Sequence, residues 1–356
     1  MQLGISESLP ALVSRRFSAA KEAGHLLFSP THLTTLHASG IPYQLRYCPA
    51  LAKKPTSTPK SEKASPGPKF DPFENPSPEL LIAQIPRENP THFLVLNKFP
   101  VIPNHFILAT TAWKSQTDIL EKDDLAAAYA CVRAWAEESS DQASEGGRRR
   151  LFAFFNSGDE SGASQPHRHL QFLPVEAMAQ QQSANDDWRP LIDIVSSQPA
   201  ASGPNLRRLD QVPFAHFVLP LPPNPSSEAL FATYLCLYKA AVAATAAATN
   251  SGDHHRAQET SSTGPAAISY NLAMTESTMM ICPRRSESAH IPIEPGARAD
   301  VAEAGVVALN GTILAGTLMV KAEAEWNELR RNPQSLGNVL STIGFPQSNL
   351  PEVSLL

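Results

Sequence analysis

The chain has 356 residues, of which 42% are hydrophobic and 18% charged, with a formal net charge of -5. That length is enough for one large domain or two modest ones with a full core, and the acidic balance gives no footprint for nucleic acid. No apolar run is read as reaching the roughly 18 residues of a membrane span; the longest candidate, Ala240–Ala248, is diluted by alanine and threonine.

In chain order, Met1-Gln2-Leu3-Gly4-Ile5-Ser6-Glu7 has no basic segment before an apolar one, so no secretory leader is expected. Over residues 5–24, Leu9, Leu12, Val13, Phe17 and Ala20 recur at helical spacing and predict an amphipathic helix. Tyr43–Tyr47 alternates as a strand does. Residues 53–68 hold lysine, proline and serine in place of core residues and are read as a mobile basic loop, with Lys53 and Lys54 at its base. Leu80–Ile85, Phe93–Asn97 and His105–Thr110 predict antiparallel strands, the last two joined by the proline-bracketed turn Lys98–Asn104. A helix over Asp123–Glu138 follows from Leu125, Tyr129, Val132 and Trp135. Leu151–Phe155 predicts a buried strand that enters a loop of small and hydrogen-bonding residues, Asn156-Ser157-Gly158-Asp159-Glu160-Ser161-Gly162-Ala163.

The loop feeds the stretch Ser164-Gln165-Pro166-His167-Arg168-His169-Leu170-Gln171-Phe172. On an extended strand His167, His169 and Gln171 share one face, and Arg168 and Leu170 the other. Beyond it, polar connectors at 177–187 and 196–205 place a boundary between halves near 185–210. A strand is expected at Phe214–Leu219, a helix at Ser227–Thr249, and a disordered low-complexity loop at 250–265. Then come a strand pair, Ile268–Thr275 and Thr278–Cys282, a strand at Ile313–Val320, and helices at Ala322–Arg330 and Gln334–Ile343. The second half echoes the first in outline and has no second histidine row. The four cysteines, Cys48, Cys131, Cys236 and Cys282, are widely spaced and are read as free thiols of a reducing compartment.

Four chemistries fit the row. Two histidines can be core residues satisfied by neighbours. Alternate histidines can share zinc, which needs a third ligand that the nearby sequence does not supply. A neutral imidazole can attack phosphorus, with a glutamine to hold a non-bridging oxygen and a small-residue loop to offer N–H donors. The same cradle can also bind nucleotide without turnover. The third reading is favoured. Phosphoryl transfer rests on positioning and charge neutralisation, so Lys53, Lys54, Lys98, Arg284 and Arg285 are candidate contributors.

The stretch from Phe155 to Gln171 resembles the histidine-triad superfamily, in its His-x-His-x-Gln branch, and within that the fungal ATP adenylyltransferases, or diadenosine tetraphosphate phosphorylases. Asn97–His105, Tyr270–Thr275 and Gly316–Lys321 are also similar, and the resemblance spans about residues 40 to 346 without the low-complexity loops. It implies an α/β (α+β) fold: antiparallel sheet with flanking helices in pseudo-duplicated halves, a catalytic half at 1–190 and a second at 206–346. It implies reversible phosphorolysis of diadenosine tetraphosphate to ATP and ADP. His169 would carry the adenylyl group, His167 would support it, and Gln171 would bind the α-phosphate. Asn156, Gly162, Ala163, Ser164 and Gln165 would hold phosphates. Lys53 or Lys54, Asn97, Lys98, Asn271, Leu272, Ala273, Met279 and Arg284 fall on segments that contact nucleotide. No protein-bound metal or tightly held cofactor is expected; a divalent cation such as Mg would travel with the polyphosphate. Small-molecule nucleotides and phosphate are the expected partners, with sulfate as a second acceptor, and a cytoplasmic monomer, open also to the nucleus, is expected. Rival readings are a histidine-triad hydrolase, against which Gln171 in place of a third histidine argues, and a nucleotide-binding sensor.

Overall fold

The computed structural model describes residues 2–53, 70–137, 149–180, 182, 186–198, 206–249, 261–292 and 303–347, the side chains of 53 and 303 excepted. The expected basic loop thus lies outside the described residues apart from the backbone of Lys53, as do 250–260 of the expected disordered loop.

The elements in order are α1 (Leu9–Glu22), β1 (His32–Ala38), β2 (Ile41–Tyr47), β3 (Leu81–Ile85), β4 (His92–Leu96), β5 (Phe106–Thr110), α2 (Lys122–Glu137), β6 (Leu151–Ser157) and β7 (His169–Pro174). They continue with α3 (Val175–Ala179), α4 (Leu191–Ser196), β8 (Phe217–Pro220), α5 (Ser227–Thr249), β9 (Tyr270–Met274) and β10 (Thr278–Pro283). Last come β11 (Ser288–Pro292), β12 (Glu303–Ala308), β13 (Thr317–Val320), α6 (Glu323–Arg331) and α7 (Gln334–Ile343).

Eight strands make one sheet in the order β3-β4-β5-β7-β6-β9-β10-β8, and every neighbouring pair is antiparallel. The order is symmetric about the β6–β9 seam: β5-β7-β6 on one side answers β8-β10-β9 on the other. The same connection serves both, α2 between β5 and β6 and α5 between β8 and β9. This is the pseudo-duplication anticipated from the sequence. On β10 the face that corresponds to the histidine row carries Met280 and Cys282, both buried in apolar core, so the second half has no imidazole there.

Alternation along β6 divides its side chains between two cores. Ala153 and Phe155 join α1, α2 and α5 on one face, with Trp135, Tyr234, Phe172 and Met279. Phe152 and Phe154 join the other face, with Tyr43, Ile313 and Leu340. Burial of each such aromatic contributes on the order of 2–3 kcal/mol. The second face is closed by a small sheet in which β2 pairs antiparallel with β1 and parallel with β13, so the chain's two ends are tied together. By length and composition α5 could cross a membrane. Here its Leu230, Tyr234, Leu237 and Tyr238 are buried in the first core.

Three local features differ from expectation. The row is not one strand: β7 begins only at His169, and His167 pairs in an isolated bridge with Ser115. Ile313–Val320 splits into a 3-10 turn, Gly311–Ala315, and β13, because Gly316 at φ +66° reverses the chain between them. Residues 264–266 are ordered, with Ala266 N–H on the Thr117 carbonyl and the Gly264 carbonyl accepting from Ile119. Strands β1, β11 and β12 and helices α3 and α4 were not read from the sequence.

Candidate active site

The row lies at the end of β7, between β5 and β6. His169 is 3% exposed. Its Nδ1 lies 2.8 Å from the His167 carbonyl oxygen, which can only accept, so Nδ1 carries the proton and Nε2 keeps the lone pair. Burial pushes the ring down to about 4, which leaves it neutral at pH 7. A neutral ring with one bare nitrogen is a nucleophile. The Phe73 ring lies 5.1 Å away, centroid to centroid.

His167 is held from both ends. Nδ1 meets Asp71 Oδ2 at 2.7 Å, and Nε2 meets the Thr110 carbonyl oxygen at 2.9 Å and its hydroxyl at 3.0 Å. Asp71 also accepts the Phe73 N–H through Oδ1 at 2.8 Å, so one short turn supplies both the carboxylate on His167 and the ring over His169. Asp71 and Phe73 escaped the sequence reading. Asp71 is 96 residues from His167, and nothing local marks it.

Gln171 is fixed through a chain of polar groups. Asn97 Oδ1 accepts the Phe99 N–H at 2.9 Å, which turns its amide nitrogen toward His105 Nδ1 at 3.1 Å. His105 then donates from Nε2 to Gln171 Oε1 at 3.1 Å. The Gln171 amide nitrogen is left with donors for an oxygen in the cleft. A third histidine therefore does stand in the site, supplied by the residue just before β5 rather than by the row. Among the described residues no group of three or more His, Cys, Asp or Glu side chains could hold a metal ion.

The reverse face of the row is a buried ion-pair network. Arg168, 1% exposed, donates to Asp124 Oδ2 at 2.8 Å and Glu121 Oε1 at 2.9 Å, and His92 Nε2 lies 3.0 Å from Asp124 Oδ1. Burial pushes the Asp124 carboxyl up, but the His92 bond and the Arg168 charge outweigh it and hold the group below its usual range. The N-terminal turn of α2 thereby anchors the strand that carries His169.

The loop before the row packs closely against the second half of the chain. Gly158 has φ +89°, and a Cβ there would meet Ser269 Oγ at 2.1 Å. Gly162 has φ +77°, and a Cβ there would meet Asn310 Cβ and the Leu309 carbonyl oxygen at 2.9 Å. Asn156 Oδ1 accepts from Gly311 N–H at 2.8 Å and from Asn271 Nδ2 at 2.9 Å. Asn271 Nδ2 also donates to the Ser161 carbonyl at 2.9 Å. Gln116, another residue the sequence did not single out, sits between Asn156 and His169 and bonds the backbone of both.

A cleft of ≈ 340 Å³ is lined by Asn97, His105, Gly162, Ser164 and Gln171 from the first half and by Asn310, Lys321 and Glu325 from the second. His167 and His169 do not line it. A larger cavity of ≈ 680 Å³ lies beside Tyr129 and Arg133 of α2 and holds no part of the row. Ala163 and Gln165 are half-buried and Ser164 is exposed; Lys98 is exposed, its Nζ 5.7 Å from the Phe99 ring centre. The Lys53 side chain and all of Lys54 lie outside the described residues.

The second-half candidates are placed differently from what the resemblance implied. Leu272 and Met279 side chains are buried in the helix-side core, and Ala273 in the opposite one, so none of the three lines the cleft. Arg284 is 3% exposed. Its guanidinium is spent on Asn271 Oδ1 and on the Ser286, Leu309 and Ile343 carbonyls. It buttresses Asn271, which buttresses Asn156.

Residues 3–187 match the family described as the Ap4A phosphorylase N-terminal domain, and 210–346 the ATP adenylyltransferase C-terminal domain. The chain is 27% identical over 360 residues to Protein APA1 of Saccharomyces cerevisiae, covering 98% of this chain and 97% of that protein. It is 27% identical over 354 residues to diadenosine 5',5'''-P1,P4-tetraphosphate phosphorylase 2 of the same yeast, covering 97% of each. The crystal structure of yeast Ap4A phosphorylase Apa2 in complex with Ap4A superposes with a TM-score of 0.72 at 26% identity, covering 96% of this chain and 99% of that one.

Proposed function

Because the chain belongs to the Ap4A phosphorylase family, we propose that it splits diadenosine tetraphosphate (Ap4A) with inorganic phosphate into ATP and ADP, reversibly, through an adenylyl group carried on His169. It is an enzyme of the Ap4A phosphorylase and ATP adenylyltransferase type, and its ligands are nucleotides. The observation that carries the mechanism is the buried, neutral His169 ring with its proton fixed on Nδ1.

In the first step the Nε2 lone pair attacks an α-phosphorus. The N–P bond forms, the bond to the bridging oxygen breaks, and ATP leaves. In the second step a phosphate oxygen attacks the same phosphorus, the N–P bond breaks, and ADP leaves with the imidazole restored. Gln171 donates to a non-bridging oxygen in both steps. His167, its ring held by Asp71 and Thr110, supports His169 through the carbonyl that accepts from the His169 Nδ1. Asn156 and Gly162, Ala163, Ser164 and Gln165 border the phosphates, with Asn97, Lys98 and Lys53 or Lys54 beside them. Arg284 and Asn271 act at one remove, through Asn156. A divalent cation enters on the polyphosphate oxygens. The chain works as a monomer.

The experiment is incubation with Ap4A labelled at the α-phosphorus. An acid-labile label on wild type, none on His169→Ala, and ADP plus ATP formed only when phosphate is present are expected. AMP plus ATP without phosphate would make the protein a hydrolase. Binding with neither label nor products would make it a sensor.

A further inference from the structure

The pairing of β6 with β7 stops short of the nucleophile. Leu151↔Pro174 through Phe154↔Gln171 are in register, and the same register continued would set Asn156 opposite His169. No direct rung forms there. Between them stands the side-chain amide of Gln116, 1% exposed. Its Oε1 accepts the His169 N–H at 2.7 Å, and its Nε2 donates to the Asn156 carbonyl at 2.7 Å and to the His169 carbonyl at 3.1 Å. A primary amide has a carbonyl oxygen that accepts and two N–H donors; here the oxygen and both donors have partners.

The backbone around Gln116 has taken over the pairing that β6 gives up. Gln116 N–H bonds the Pro166 carbonyl and Arg168 N–H the Lys114 carbonyl, each at 2.8 Å, and Ser115 bridges His167. The row thus changes partner between His167 and Gln171, from the 114–116 segment to β6. The strands part at that change, and the loop that borders the phosphates, residues 157–163, leaves from the gap.

We propose that Gln116 is a positioning residue for the nucleophile: its amide is an inserted rung that holds the His169 peptide at a fixed offset from Asn156 while the strands splay to admit polyphosphate. The inference rests on the reading of His169 as nucleophile. The Nδ1 proton of His169 is held by a carbonyl two residues back, so a shift of this peptide moves the ring and its Nε2 together. Misplacement by about 1 Å is enough to slow such a step about a hundredfold.

The test uses the full chain with Gln116→Met, which keeps the length and removes the amide, and Gln116→Glu. Ionised, the glutamate can accept from His169 N–H but faces two carbonyl oxygens with no donor; protonated, it restores one donor. Single-turnover adenylylation by labelled Ap4A is expected to slow about a hundredfold in Gln116→Met, with KM within about twofold of wild type. Gln116→Glu is expected to be slow at pH 7.5 and to recover relative to wild type as the pH is lowered toward 5.5. Full rate in Gln116→Met, or no acid recovery in Gln116→Glu, overturns the inference. Hydrogen exchange of the His169 amide in the unliganded protein gives a reading free of turnover. Exchange is expected to be faster in Gln116→Met, and unchanged protection overturns the rung. A wild type that fails to label defeats the functional reading instead, and exchange still decides whether the rung exists.

Discussion

His105 Nε2 stands 3.1 Å from Gln171 Oε1, and this contact decides which way round the glutamine amide lies. With Asn97 donating to Nδ1, the ring can give a proton only to the oxygen, so the glutamine offers its N–H groups to substrate. His105→Phe keeps a ring and loses the donor. It is expected to lower kcat about tenfold with KM nearly unchanged, the size of one lost hydrogen bond. His105→Gln, whose terminal nitrogen can reach the place of Nε2, should recover most of that. Equal losses in both variants would show that the ring's bulk matters and its proton does not.

Asp71 couples His167 to the ring that covers His169. Asp71→Asn keeps the shape, and one amide orientation keeps the Phe73 N–H bond, but the negative charge beside His167 Nδ1 is removed. A loss of about tenfold in the first-step rate is expected from replacing a charge-assisted bond by a neutral one, with a melting temperature close to that of wild type. Steady-state kinetics beside thermal unfolding reads the two separately. A large fall in melting temperature at full activity would assign Asp71 to folding alone.

Arg168 tests the reverse face. Arg168→Met leaves Asp124 buried against His92 with half its compensation gone, a change expected to cost about 3–5 kcal/mol. Chemical unfolding of Arg168→Met beside the double variant Arg168→Met/Asp124→Leu separates lost attraction from stranded charge. The double variant should be the more stable of the two. If it is not, the destabilisation does not come from the carboxylate left behind.

Burial leaves a pH signature in two histidines. His169 and His216 each bond a carbonyl two residues back through Nδ1, at 2.8 and 2.9 Å, and burial pushes each from 6.5 to about 4. The unfolded chain therefore binds more protons than the folded one between those values. Stability from each ring is complete above pH 6.5 and is lost as the pH falls toward 4. Between pH 7 and 5 that amounts to about 2 kcal/mol per ring. Urea unfolding of His216→Gln at both pH values should show a pH dependence smaller by about that amount. An identical dependence in variant and wild type would mean that His216 titrates normally in the fold.

Much of this site could be read along the chain. His167, His169 and Gln171 at alternate positions, after a loop with Gly158 and Gly162, made attack on phosphorus the favoured one of four chemistries before any contact was known. Periodicity found α1, α2, α5 and most strands of the large sheet within a few residues, because their buried faces recur with the period of the backbone itself. The sequence also placed Arg168 on the opposite face from the histidines, which follows from strand geometry alone.

Tertiary structure decided the partners. Arg168 gained a function only when α2 brought Asp124 to it, 44 residues away in the chain. Gln116 and Asp71 lie in segments with no motif of their own, and His105 ends a segment whose resemblance gave it no role; their chemistry comes from which backbone or ring they meet. Met279 and Arg284 went the other way. Their segment resembled a nucleotide contact, but strand parity buried the one in the helix-side core and spent the other's donors on carbonyls. A side chain's type and period are local properties that a sequence carries. The register between strands, and so the identity of each hydrogen-bond partner, depends on how distant segments pack, and only the folded chain contains it.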